Sequence, residues 1–155
     1  MNKQIEILRN TRKYLLGFIV DLSVEELNEI PKGFNNNIIW NLIHLISTQQ
    51  NICYARAGLP ICIDEKYFKP YAPDTKPGPY IDAAEMDTLK MLFLTVIDRL
   101  ETDLKKDAFS RYTPWTNRYS VQISTIDEVL GFLPYHEGLH LGYVMALKRT
   151  LRNQQ

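Results

Sequence analysis

The sequence predicts an all-α protein: a four-helix bundle with one long crossover connection between its second and third long helices, taking up residues 1–155 as a single domain. Three observations predict it. Four long segments repeat apolar residues at helical spacing. Capping residues mark several of their ends. One connection, residues 60–80, is much longer than the rest and crowded with proline.

The first helix runs from about Lys3 to Asp21, where Ile5, Leu8, Arg12, Leu15, Leu16 and Ile19 form a mostly apolar stripe. Ser23-Val24-Glu25-Glu26 has the capping-box pattern and starts a short helical turn. Pro31-Lys32-Gly33 breaks the chain, and Asn35 to Asn37 offer an N-cap for a second long helix over residues 37–57. Gly58-Leu59-Pro60 ends that helix, with the glycine just past its C-terminus and a proline after it.

Pro60, Pro70, Pro73, Pro77, Pro79 and Gly78 rule out regular structure over residues 60–80. Tyr67, Phe68, Tyr71 and Tyr80 in the same stretch predict that it packs onto the body. A connection this long in a compact domain is often functional. The third helix spans about Asp82 to Lys105, with Met86, Leu89, Phe93, Val96, Ile97 and Leu100 on one side. Residues 109–124 read as a loop with room for a short extended pair. Thr125-Ile126-Asp127-Glu128 is a second capping box, and the fourth helix follows to about Leu151. Pro134 falls inside it and removes one backbone hydrogen bond, and Gly131 loosens the same turn.

Hydrophobic residues make up 45% and charged residues 23%, and eighteen basic side chains balance eighteen acidic ones. That balance argues against nucleic acid or an anionic membrane as partner. Met1 to Glu6 carries charge and lacks the apolar core of a signal peptide, and no apolar run approaches the roughly 18 residues that span a bilayer. The expected location is therefore cytoplasmic. Two cysteines, Cys53 and Cys62, are too few for a disulfide scaffold and read as free thiols.

The three histidines carry the chemistry. His136-Glu137-Gly138-Leu139-His140 places two imidazoles one helical turn apart on one face. His44 lies ninety-two residues upstream, in the apolar helical run Trp40-Asn41-Leu42-Ile43-His44-Leu45-Ile46, where a buried imidazole needs a polar or metal partner. Three neutral ligands with an open position match a catalytic metal centre and not a closed structural one. His-Glu-x-x-His also marks zinc proteases, but those generally take a third ligand downstream. After Glu137 this sequence offers no Asp, no Glu and no His other than His140. Glu137 lies about 100° from His136 and about 60° from His140 round the helix. It is expected beside the ligand face or in solvent, within reach of a water at the ion. Cys53, nine residues after His44, points half a turn away and reads as a small buried residue.

These residues resemble the DinB-like metal-binding four-helix proteins, a superfamily that includes thiol-dependent transferases and isomerases. The resemblance rests on the segment Asn36-Asn37-Ile38-Ile39-Trp40-Asn41-Leu42-Ile43-His44-Leu45. It rests equally on Thr125 to Glu128 followed by His136-Glu137-Gly138-Leu139-His140-Leu141-Gly142. It implies that His44, His136 and His140 are the metal ligands. The sequence departs from the family pattern at Tyr143, where glutamine is common, and at Pro134.

The resemblance further implies transfer of a low-molecular-weight thiol, so the expected function is a metal-dependent thiol S-transferase or related hydrolase acting on a small-molecule substrate. The alternative is a metal-binding stress-response protein without turnover. The expected cofactor is one divalent ion, zinc or nickel first, then iron or manganese. No catalytic residue is assigned. Trp40, Tyr143 and Glu137 are candidates for the pocket or its surroundings, and Trp40 and Tyr143 suit the core equally well. Relatives of this kind commonly pair through helices of the bundle, and the nine Tyr and six Phe leave apolar surface for it, so a homodimer is expected.

Overall fold

A computed structural model describes residues 2–153. Its elements are α1 (Lys3–Phe18), α2 (Val24–Asn28), α3 (Ile38–Gln49), α4 (Ala83–Lys105), the two-residue strands β1 (Trp115–Thr116) and β2 (Gln122–Ile123), and α5 (Ile126–Asn153). α1 and α3 each pack against both α4 and α5, which closes a ring of four long helices. The long crossover joins α3 to α4. The architecture is the all-α bundle that the sequence predicts. Among the described residues, no helix is long and apolar enough to cross a membrane.

Local signals account for the ends. Asn2 caps α1, accepting from the amides of Gln4 and Ile5. Ser23 and Glu26 form the reciprocal capping box of α2. Asn37 caps α3 through Trp40 N, and Asp82 caps α4 through Glu85 N. α1 stops at Phe18, before the expected Asp21. The Phe18 carbonyl is taken by Lys148 Nζ at 2.6 Å, and Lys148 and Arg152 both pair with Asp21. Cations from α5 thus close the negative end of α1. α5 runs unbroken through Pro134.

The second long helix departs from regularity. α3 continues into a π-helical turn, Gln50–Tyr54, then a 3-10 turn, Ala55–Ala57, and ends at Gly58 with φ 70°. A π turn inserts one residue into the helix and so re-phases everything after it. Residues 60–80 are not wholly irregular either. They contain two 3-10 turns, Glu65–Tyr67 and Lys69–Tyr71, whose Tyr67 and Tyr71 are buried. Tyr80, expected to pack as well, is 58% exposed. β1 and β2 pair antiparallel as a hairpin within residues 109–124.

The apolar core falls into two clusters. One contains Leu15, Ile19, Ile46, Phe93, Val96, Val144 and Leu147; the other contains Ile5, Leu8, Ile52, Ile97, Leu100, Leu130 and Leu133. Arg12, Gln49 and Glu137 lie between them along α1, α3 and α5, and all three are buried. Arg12 is fully buried within the stripe read from the sequence as mostly apolar. Its Nε and Nη2 donate to Glu137 Oε1 at 3.0 and 2.7 Å, Nη1 donates to the Phe93 carbonyl, and Nη2 donates to the Leu45 carbonyl. Its guanidinium also stacks over the Phe93 ring. Burial pushes the Glu137 carboxyl above its usual range, and Arg12 opposes that shift.

Removing one member of a buried ion pair strands the other charge, which costs about 3–5 kcal/mol. Arg12→Met should destabilise the bundle by about that much, and Arg12→Met with Glu137→Leu should recover most of the loss. Urea unfolding of the three proteins checks it. A single variant within about 1 kcal/mol of the parent would show that the pair is dispensable.

Candidate metal centre

His44 comes from the buried face of α3, and His136 and His140 come from one face of α5. The structure brings all three together. One ring nitrogen from each lies within 4.8 Å of the others, and no fourth His, Cys, Asp or Glu joins the group among the described residues. Ring centroids are 4.7 Å apart for His44 and His140, 4.7 Å for His136 and His140, and 5.4 Å for His44 and His136.

Outer contacts set the tautomers. His44 Nδ1 lies 2.7 Å from the Tyr71 carbonyl, which can only accept, so Nδ1 carries the proton and Nε2 the lone pair. Thr48 Oγ1 lies 3.3 Å from that Nε2. His140 Nδ1 lies 2.8 Å from Asn41 Oδ1. Asn41 spends its amide hydrogens on the Asn37 carbonyl and Asn36 Oδ1, which leaves its oxygen to accept from His140. His140 therefore also presents an unprotonated Nε2. His136 Nδ1 is buried with no hydrogen-bond partner among the described residues. Ligating imidazoles are commonly held this way, one nitrogen bound to a fixed acceptor and the other free.

Burial keeps the rings neutral. It lowers His136 to about 3, helped by the neighbouring imidazoles and then by Arg12 and Arg118. It lowers His140 to about 3, helped by His44 and Arg118. His44 is lowered by burial and Arg118, against the opposing Tyr71 carbonyl and Asp74. Neutral imidazole is the form that binds a metal. Two rings pinned with Nε2 free, and a third with an orphaned buried nitrogen, fit a single divalent ion.

The histidines line a cavity of about 1120 Å³. Residues 68–76 of the crossover form one wall, and the β1–β2 hairpin contributes Trp115, Asn117, Arg118 and Tyr119. Trp40 stacks on His44 at 4.6 Å and 10°, and its Nε1 donates to Thr75 Oγ1. It is 6% exposed, so it serves both core and cavity. Tyr143 lines the cavity too, 38% exposed and edge-on to Phe34, which places it outside the core. Glu137 is elsewhere than expected. It is neither in solvent nor lining the cavity, because its rotation round α5 carries it to α1, where Arg12 holds it. Cys53 is fully buried, as expected, and both cysteines are free thiols.

The model of the DinB superfamily matches residues 7–144. The chain belongs to the DinB superfamily. The match includes all three histidines, and proteins of this kind are metal-binding. No curated protein matches the chain. Sequence reasoning assigned no role in this DinB-superfamily site to Asn41, although a polar amide three residues before His44 in an apolar run was its signal. The Tyr71 carbonyl has no signal in the side-chain sequence at all.

The depressed histidines predict a pH dependence for the metal-free protein. Unfolded, their pKa is near ~6.5, so below that the unfolded chain binds protons that the folded chain refuses. Stability is therefore full above about pH 7 and falls as pH drops toward about 3, by on the order of 1 kcal/mol per pH unit for each depressed histidine. Urea midpoints at pH 7, 6 and 5 should fall in the parent and stay flatter in His136→Gln/His140→Gln. Equal slopes would mean that the folded rings titrate normally.

Proposed function

We propose that the protein is a metal-dependent enzyme using a divalent ion held by His44, His136 and His140, and that it transfers a low-molecular-weight thiol or hydrolyses a related small-molecule substrate. One observation carries this reading: among the described residues the three histidines have no fourth protein ligand, and they open into a cavity large enough for a small molecule. A structural site would be closed by four protein ligands. When bound, the ion supplies a Lewis acid that makes a nearby thiol or water more acidic and polarises an electrophile. Zinc or nickel suits the three imidazoles first, then iron or manganese.

The chain's own residues hold and orient. Tyr71 and Asn41 fix two rings, and Trp40 braces the His44 face. The thiol comes from outside. Cys53 is fully buried with its pKa raised by desolvation, and neither Cys53 nor Cys62 lines the cavity. The place of action consistent with this chemistry and composition is the cytoplasm.

Tag-free protein should retain close to one equivalent of a divalent metal by elemental analysis, and His140→Ala should lose it while remaining folded. The native protein should consume a thiol with a reactive electrophile, tested with glutathione, bacillithiol and simpler thiols. Metal-stripped protein and His140→Ala should run at the background rate, and Cys53→Ser and Cys62→Ser at the native rate. Bound metal with background rates for every thiol would replace the transferase reading with a metal-binding role without turnover.

A homodimer is part of the same proposal. Ile7 and Tyr14 on α1 and Met145 on α5 are exposed, and Ile7 and Tyr14 line a shallow groove with Leu141 of α5. Light scattering at micromolar concentration should give twice the 18.1 kDa chain mass. A value at the chain mass would rule the dimer out.

A further inference from the structure

The charges of this chain balance overall, yet they are not evenly spread. Arg9, Lys66, Arg99, Lys148 and Arg152 are tied into ion pairs. Arg56, Lys69, Lys76 and Arg118 have no ion-pair partner among the described residues, and all four line the histidine cavity. Among the described residues, the single carboxylate lining it is Asp74.

Separate segments deliver these cations, and two of them are held in place. Arg56 follows the π turn after α3. It lies twelve residues beyond His44, which in a regular helix would carry it about 120° away. The π turn and the 3-10 turn after it change that phase, and Arg56 lines the same cavity as His44. There its guanidinium packs over the Trp115 ring at 5.5 Å. Arg118 sits in the tight turn of the hairpin. Asn117 Oδ1 accepts from the amides of Tyr119 and Val121, Ser120 takes φ 63°, and Tyr119 packs edge-on against Tyr135 of α5. That turn places Arg118 in the lining of the cavity that the three histidines share. Lys69 and Lys76 come from the crossover on the other wall.

Neutral imidazoles leave the charge of a divalent ion undiminished. Holding unpaired guanidinium groups in the same cavity adds repulsion, which an anion seated among them would relieve. We propose that the co-substrate of this site is a small polyanion whose carboxylate or phosphate groups are gripped by Arg118 and Arg56, with Lys69 and Lys76 adding long-range attraction. The specificity rests on the proposed function, because it assigns a substrate class to the same cavity. The guanidinium fork matches either oxyanion in bidentate fashion.

Calorimetry on the metal-loaded protein tests it with three probes: succinate, inorganic pyrophosphate and the neutral isostere succinamide. Succinate, pyrophosphate or both should bind, and which of them binds separates carboxylate from phosphate chemistry. Succinamide should not bind. Arg118→Ala and Arg56→Gln should each weaken anion binding about tenfold or more without changing metal content, and Arg118→Lys should restore part of it. Raising salt from low to high should weaken it further. His140→Ala separates the two readings. Anion binding that survives there and still depends on Arg118 supports the anion site even where thiol turnover is absent. Equal binding of succinamide, no binding of either anion, or anion affinity indifferent to Arg118→Ala and Arg56→Gln would overturn the proposal.

Discussion

The bundle turns on one buried contact, the ion pair of Arg12 and Glu137. It sits between the two apolar clusters, and its members come from helices that meet along their length. Glu137 is also the residue directly after His136 and three before His140. Fixing Glu137 against α1 therefore fixes the rotation of α5 about its own axis. The two histidines, about 100° and about 60° away, must then face α3, where His44 waits. An apolar contact in that position would tolerate rotation, because dispersion is not directional. Two charge-assisted hydrogen bonds to one carboxylate oxygen are much less forgiving. The need for such a lock is local. Gly131, Pro134 and Gly138 all weaken the helix within two turns of the ligands.

A second layer of contacts then acts on the rings themselves. Asn41 reaches His140 from α3, and Tyr71 reaches His44 from the crossover. Each ligand element is thereby tied to an element other than its own. The crossover is a working part of the site for this reason, and its buried Tyr67 and Tyr71 explain how a proline-rich segment stays in place. Ser47 adds a further tie, donating to the Phe68 carbonyl.

The four long helices were legible because an apolar stripe at 3.6-residue spacing is a local pattern, and so were the caps at Ser23 and Asn37. The histidines were legible because one turn of spacing on one helix is local too, and His44 stood out as a polar ring in an apolar run. What escaped is long-range or lies in the backbone. Arg12 and Glu137 are 125 residues apart, and the place of Arg12 in the apolar stripe of α1 does not name its partner. The π turn at Gln50–Tyr54 leaves no mark in residue type. The Tyr71 carbonyl belongs to any residue. Arg118 reads as one more loop cation until the hairpin is folded over the cavity.

These facts divide the protein into two kinds of part. The helices carry the histidines and lock them by burial and by the Arg12–Glu137 pair, so the geometry at the ligands is insulated from surface change. The 3-10 turn after the π turn, the crossover and the hairpin carry Arg56, Lys69, Lys76 and Arg118, and these four side chains line the cavity. Loops tolerate substitution far better than a buried ion pair does. Change in the exposed hairpin can therefore alter what enters the cavity while the three histidines stay fixed. On the proposed reading, that charge serves an anionic substrate, because cationic guanidinium and ammonium groups add only repulsion to a site that holds a cation alone.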